Sequence, residues 1–202
     1  MADLQPVVTV IAGPNGSGKT TLTKQLLAHE WTARSTYVNA DEIAQHKYGD
    51  WNSPQAIRQA ANLADELRAK YLRDRQSFTY ETVFSTARRL EDLERALANG
   101  FFIRFFFVST DDPLTNIERV RRRVQLGGHD VPHDKIRARY QRSIGNLVPA
   151  LNIVNRGYLF DNSAFEQDPL PLLRTVDGKV AKIYCEPLPS WATRALTRLQ
   201  SA

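Results

Sequence analysis

The stretch Gly13-Pro14-Asn15-Gly16-Ser17-Gly18-Lys19-Thr20 limits what this chain can fold into more than any other. It satisfies the spacing G-x-x-x-x-G-K-[ST], follows an apolar, β-branched run at residues 7–12, and opens an amphipathic segment over residues 19 to about 29. The spacing has a physical cause. Glycines let the backbone curl until successive N–H groups converge on one phosphate, and the helix that follows adds the positive end of its dipole. In such a loop Lys19 reaches the β- and γ-phosphates as a point charge, and the Thr20 hydroxyl ligates Mg²⁺. The residues expected to meet a nucleotide are therefore Gly13, Pro14, Asn15, Gly16, Ser17, Gly18, Lys19, Thr20 and Thr21. ATP and Mg²⁺ are the expected cofactors.

Strand and helix patterns alternate along the rest of the chain. Short strands are expected at 35–39, 78–82, 101–108 and 158–160, with helices at 54–73, 87–99 and 113 to about 126. Ser53–Pro54 and Asp112–Pro113 each read as a cap followed by proline at the first helical position. A single helix is expected from 132 to about 154. This alternation predicts an α/β fold, a phosphate-loop nucleotide-binding domain whose parallel sheet carries helices on both faces. Residues 172–176 and 180–185 flank Asp177–Gly178, a hairpin dipeptide, and a last helix starts at Ser190. Hairpin and helix together read as an appendage over 166–202, on a single domain whose core covers about 7–165.

Composition excludes several classes. The 202 residues are 42% hydrophobic and 24% charged, which suits one globular domain rather than a disordered chain. The longest apolar run, 101–108, is interrupted by Arg104 and is too short to span a bilayer. Residues 1–5 hold no basic segment ahead of an apolar one, so no leader is expected. The lone Cys185 cannot pair internally and reads as a packed thiol, in keeping with a cytoplasmic setting. No His spacing suggests a metal site.

Twenty-seven Lys and Arg against 22 Asp and Glu leave a charge of +5, and seven arginines fall within residues 119–142. Arg119 and Arg123 are four apart and share a helix face, whereas Arg121 and Arg122 point elsewhere and read as solvated. On the next segment Arg139, Ser143 and Asn146 form a polar stripe beside the apolar stripe Ile136, Tyr140, Ile144, Leu147 and Leu151. With Gly127-Gly128-His129-Asp130-Val131-Pro132 as hinge, residues 113–154 read as a lid that brings arginines onto a γ-phosphate. His129 is a phosphate-side donor or a plain loop histidine. Leu126-Gly127-Gly128-His129 echoes the signature loop of ABC-type ATPases, but a basic helix follows where those need a strand ending in Asp–Glu.

Phosphoryl transfer also needs a group that orients the acceptor hydroxyl and takes its proton. Asp41 ends the second expected strand, at the sheet edge where open α/β folds bind ligands; it is either that base or a cap for the following helix. Glu81 and Thr82 end the third strand on the same edge and are candidates for acceptor contact. Glu42 and Asp50 read as solvated.

Taken together, the phosphate loop, Asn39-Ala40-Asp41-Glu42, Tyr80-Glu81-Thr82, Arg119-Val120, Arg123-Val124, the Gly127–Pro132 hinge, Arg139-Tyr140 and Phe160-Asp161-Asn162-Ser163 resemble the zeta toxin family of P-loop kinases, in its small branch often described as predicted ABC-type ATPases. The resemblance spans about residues 7–165. It implies an ATP-dependent kinase of a nucleotide-activated sugar, typically UDP-N-acetylglucosamine, and an antitoxin partner that occludes the nucleotide site. It further implies that Asp41 is the base, that Glu81 and Thr82 touch the acceptor, and that Arg119 binds phosphate. Where the best-known members carry a second lid arginine, this chain has His129. Two alternatives stand beside it: a kinase of another small acceptor, and a nucleotide-gated module holding nucleic acid on its arginines. The last would need aromatics among the arginines for base stacking, and Tyr140 alone qualifies, on the apolar stripe.

Overall fold

The computed structural model describes residues 5–49 and 53–201. Asp50 and most of residues 1–5 lie outside them. Seven strands form one sheet in the order β2-β3-β1-β4-β5-β6-β7. The first five, β1 (Val7–Ala12), β2 (Thr36–Val38), β3 (Phe78–Thr82), β4 (Phe102–Ser109) and β5 (Arg156–Asp161), run parallel. The chain leaves β1 for edge strand β2, returns to β3, and then crosses to β4 on the other side of β1. The sheet therefore switches direction at β1, and the crevice outside its carboxyl end is where such folds hold ligands.

The apolar runs of β1 and β4 are continuous because both faces are covered. Val8, Val10 and Ala12 of β1 join Ile103, Phe105 and Phe107 of β4 in the larger core, together with α3 (Pro54–Arg73), α4 (Arg88–Ala98), α7 (Leu147–Ile153) and α8 (Ser190–Gln200). Ile11, Phe106 and Val108 point the other way, onto Leu22 and Leu26 of α1 (Lys19–Leu27). On that second face Phe106 stacks on Tyr158 with centroids 4.7 Å apart.

Three sequence expectations change. The expected helix over 132–154 is two helices, α6 (His133–Gly145) and α7, meeting at Asn146. Pro149 has no N–H to donate and its ring clashes with the carbonyl four residues back, at Gly145, so the helix breaks there. The hairpin β6 (Leu170–Val176) and β7 (Lys179–Ile183) turns at Asp177–Gly178, as expected, but it extends the main sheet rather than standing apart from it. The connection from β5 has eight residues, too few for a parallel crossover, so β6 must run antiparallel. The last helix likewise belongs to the core: Trp191 is fully buried, 5.8 Å from Phe107, and its Nε1 donates to Asp161 Oδ1 at 3.1 Å.

Among the described residues, two further α-helices are α2 (Ala40–Tyr48) and α5 (Pro113–Gln125). Asp112 and Ser53 cap α5 and α3 as read, accepting from Leu114 N and Ala56 N. Helices α5 and α6 pack through a small core of their own, Val120, Val131 and Ile136. Among the described residues, no helix is long and apolar enough to cross a membrane.

Candidate active site

The phosphate loop is held from three sides. Gly13 N donates to Thr82 O at 3.2 Å, tying it to β3. From α5, Asn116, fully buried, donates Nδ2 to Asn15 O at 2.7 Å. From the turn after β5, Asn162 donates Nδ2 to Ser17 O at 2.9 Å. Two glycines are required by this closeness. A Cβ on Gly16 (φ 76°) would lie 2.5 Å from Asn116 O, and one on Gly18 (φ 97°) would lie 2.1 Å from Asn162 Nδ2. No sequence signal marks Asn116; Asn162 belongs to a recognisable stretch, yet its contact with a loop 145 residues away is purely tertiary.

Lys19 opens α1 and donates to Gly13 O and Pro14 O, both at 2.9 Å. Burial lowers its pKa from 10.5 to about 8; the carboxylates of Glu81 and Asp41 oppose that shift, while Arg123 and Arg139 add to it. One ammonium thus senses strand ends β2 and β3 together with two arginines of the 113–154 segment. The cleft around it is lined by Asn15, Thr20, Asp41, Glu81, Thr82 and Arg123 among others and has a volume of about 220 Å³.

Asp41 does not cap α2. Asn39 does, its Oδ1 accepting from Asp41 N at 2.9 Å. Asp41 sits in the first helical turn with its residue exposed to the cleft. Glu81 is oriented by Tyr37, whose hydroxyl donates to Glu81 Oε1 at 2.8 Å and in turn accepts from Asn39 Nδ2 at 2.9 Å. Burial first, and then the Glu81 charge, push the Tyr37 pKa well up, so it stays a donor. Tyr37 is a residue that sequence reasoning missed; the period-2 pattern of a three-residue strand is too short to show which side chain faces Glu81. Thr82 lines the cleft and its Oγ1 accepts from Phe84 N at 3.1 Å.

The arginines divide. Arg119 lines a second opening of the loop with Thr21 and Gly18; its Nη2 donates to Ala164 O at 2.7 Å, and its buried Nη1 has no partner among the described residues. Arg123 borders both openings and donates Nε and Nη2 to His129 O at 3.1 and 2.7 Å. Desolvation lowers the pKa of both guanidiniums. Arg121 and Arg122 lie on the solvent face, paired with Glu118. Of the expected polar stripe, Arg139 alone reaches the loop, with Nη1 3.3 Å from Asn15 Oδ1. Ser143 is fully buried, and Asn146 Nδ2 instead donates to Phe84 O at 3.1 Å, holding the β3–α4 connection. His129 does not enter the Lys19 corner; it lines an adjoining groove with Asp41, Lys135 and Arg139.

The loop suits a phosphate chain: Gly16 and Gly18 admit no Cβ, and Arg119, which lines its second opening, keeps a buried Nη1 without a partner among the described residues. For a divalent cation the available donors are hard oxygens, the Thr20 hydroxyl and the carboxylates of Asp41 and Glu81, which suit Mg²⁺ shared with phosphates. No cluster of three or more His, Cys, Asp or Glu capable of holding a metal by itself occurs among the described residues.

The zeta toxin family model matches residues 1–149, which include the loop, both strand-end carboxylates and the arginine-bearing helices. The chain belongs to the zeta toxin family. An uncharacterised Haemophilus influenzae protein is 27% identical over 128 residues, 63% of this chain and 88% of that one. Among solved structures, the fold of this family member is shared by AvrRxo1-ORF1 in complex with ORF2 and ATP (TM-score 0.70, 16% identity, 96% of this chain and 64% of that one). It is shared as well by the PezAT toxin–antitoxin system of Streptococcus pneumoniae (TM-score 0.61, 14% identity, 100% of this chain and 87% of that one). The chain spans less than two thirds of the AvrRxo1-ORF1 chains it matches.

The lowered Lys19 pKa predicts that nucleotide binding at this loop is proton-linked. With its pKa lowered to about 8, Lys19 is expected to be partly neutral at pH 8 in the free protein, and a triphosphate at the loop would favour the ammonium form. Calorimetry at pH 8 in buffers of different ionisation enthalpy is expected to show fractional proton uptake per ATP, shrinking toward pH 7. Uptake that is zero at pH 8 contradicts this.

Proposed function

We propose that this chain is an ATP-dependent phosphotransferase that moves the γ-phosphoryl group to a hydroxyl of a small acceptor, a nucleotide-activated sugar such as UDP-N-acetylglucosamine. One observation carries the reading: at the carboxyl edge of the sheet the Lys19 ammonium shares a cleft with the Asp41 and Glu81 carboxylates and the Arg123 guanidinium, and it feels the charges of all three and of Arg139. Phosphoryl transfer asks for little covalent chemistry from the protein and much positioning and charge stabilisation. The loop amides and Lys19 hold the β- and γ-phosphates. Thr20 takes Mg²⁺, which neutralises phosphate charge when bound. Arg119 and Arg123 stabilise the charge that spreads over the transferring group, and Arg139 acts through Asn15.

Across the cleft, Asp41 receives the acceptor's proton, while Glu81, held by Tyr37, together with Thr82 orients the acceptor hydroxyls. The groove lined by His129 and Lys135 continues from Asp41 and extends the acceptor space. Family membership supports the nucleotide sugar as acceptor, and the toxin–antitoxin assembly of PezAT supports an antitoxin partner for this chain.

The test is a panel. Purified protein with Mg²⁺–ATP is incubated with UDP-N-acetylglucosamine, other nucleotide sugars, nucleosides and free sugars, and products are weighed by mass spectrometry. A nucleotide sugar heavier by one phosphoryl group is the expected product. ATP hydrolysis with no phosphorylated acceptor, stimulated by DNA or RNA, would overturn the proposal.

A further inference from the structure

One face of the sheet carries a side-chain pattern that the transfer chemistry does not use. After β5 the chain returns as a hairpin instead of a crossover helix, and α8 packs on the Phe107 side. On the opposite side the apolar cluster takes its helical residues from α1, Leu22 and Leu26, with Tyr158 and Phe160 only partly buried at its border. From β5 outward, no further helix contributes a buried apolar residue to that face among the described residues.

Strand register decides what the face displays, because residues paired across neighbouring strands point to the same side. One row across four strands is Phe106, Tyr158, Arg174 and Lys182; the next is Arg104, Arg156, Val176 and Lys179. Trp31, in the 3₁₀ turn Glu30–Thr32, borders both rows. Its ring lies 5.8 Å from Tyr158 and takes the Arg104 guanidinium at 5.2 Å, and it remains 38% exposed.

Opposite charges side by side stabilise a strand pair and like charges destabilise it. Here Arg174 stands beside Lys182 and Arg104 beside Arg156. Among the described residues of β4 to β7 the one carboxylate, Asp161, is turned to Trp191 on the far side. Asp177, in the hairpin turn, meets Arg156 at 3.9 Å. Burial first, and the Arg156 charge with it, hold the Arg104 pKa below its usual value against the pull of Tyr158. Arg174 keeps a buried Nε without a partner among the described residues. An anion laid across these rows would relieve both costs.

Cations alone would suit any polyanion, and the rings set among them narrow the class. Tyr158 stacks on Phe106, and the Phe102 ring lies under the guanidiniums of Arg104 and Arg156 at 5.3 and 5.7 Å. A single strand of nucleic acid alternates phosphates with flat bases, and its binding sites combine a basic track with aromatic platforms. The lid arginines lack that combination, and this face has it. An acidic peptide has no use for flat platforms, and a duplex hides the faces of its bases.

We propose that the β4–β7 face bordered by Trp31 is a binding surface for single-stranded nucleic acid, its cations holding phosphates while Trp31 and Tyr158 stack on bases. The rows lie toward the amino ends of β4 and β5, whereas the phosphate loop lies at the carboxyl edge of the sheet, so both sites can be filled together.

The probe is dye-labelled oligothymidylate of about twelve nucleotides, followed by anisotropy at about 0.1 M salt. The protein is saturated with Mg²⁺ and β,γ-imido-ATP, so that the phosphate loop is occupied. Wild type is expected to bind the strand with an affinity that falls as salt rises. R104Q/R174Q is expected to bind it about tenfold or more weakly and to lose about 1.4 from the salt slope, at ~0.7 for each phosphate contact removed. W31A, which alters no charge, is expected to weaken binding about fivefold or more with the slope unchanged. R121Q/R122Q, on the solvent face of α5, binds as wild type does. Unchanged affinity for the nucleotide analogue shows that each variant is folded. In wild type the Trp31 Nε1–H resonance is expected to move on addition of the strand while that of buried Trp191 stays, a measurement that needs no variant. Absence of binding, displacement by polyaspartate or by duplex as readily as by unlabelled strand, a still Trp31 resonance, or variants that bind normally would each overturn the surface. None of these measurements requires turnover, so this surface and the phosphotransferase reading stand or fail separately.

Discussion

Lys19→Ala is expected to lower kcat/KM for ATP about a thousandfold, close to 4 kcal/mol of transition-state stabilisation. The side chain stands at the floor of the cleft, and its charge is held there against desolvation with Asp41 and Glu81 in opposition to the loss. Alanine removes the charge that faces the β- and γ-phosphates and the two hydrogen bonds to Gly13 O and Pro14 O. The fold should not suffer. A base whose pKa is lowered on folding, from 10.5 to about 8, contributes stability above pH 10.5 and loses it as pH falls toward 8. At pH 7 the wild-type ammonium is therefore a cost to folding, and Lys19→Ala is expected to melt at the same temperature or higher. Steady-state kinetics with calorimetry, and a thermal melt at pH 7, check both parts. Near-normal turnover would remove the loop from the mechanism.

Asp41→Asn is expected to leave ATP affinity within about threefold and to cut acceptor phosphorylation by about 10²- to 10⁴-fold, the span typical of a lost general base. The substitution keeps the side chain's shape. It also spares the helix start, because Asn39 rather than Asp41 caps α2. Loss of a first-turn carboxylate costs the helix about 0.5 kcal/mol through its dipole. Nucleotide affinity by calorimetry and single-turnover transfer separate the outcomes. If ATP binding collapses, Asp41 serves the metal and phosphate side. If transfer continues at the wild-type rate, Glu81, held by Tyr37 on the same edge, becomes the base.

In this member of the zeta toxin family the site is built from one local motif and several dispersed residues, and the two differ in how legible they are in the sequence. The loop Gly13–Thr20 is written in eight consecutive residues, so its strand, turn and helix follow from short-range rules. The same holds for the Ser53 and Asp112 caps, the Asp177–Gly178 turn, and the separation of Arg119 and Arg123 from Arg121 and Arg122 by helical periodicity. The break at Asn146 runs against the single helix expected over 132–154, although its cause, Pro149, stands only four residues after Gly145.

What the chain order alone does not express is the set of neighbours created at the sheet edge. Asn116, Asn162 and Thr82 meet the loop from 69 to 145 positions away. Tyr37 meets Glu81 only because β2 pairs with β3. Arg68 and Arg89 converge on Asp65 only because α3 and α4 cover the same face of the sheet. The hairpin joined the sheet because eight residues cannot cross over it. Local pattern, acting over a few residues, determined which elements form and where the phosphate loop lies. Strand order and packing, which act over the whole chain, decided which side chains surround that loop, and with them the cleft's charge and chemistry.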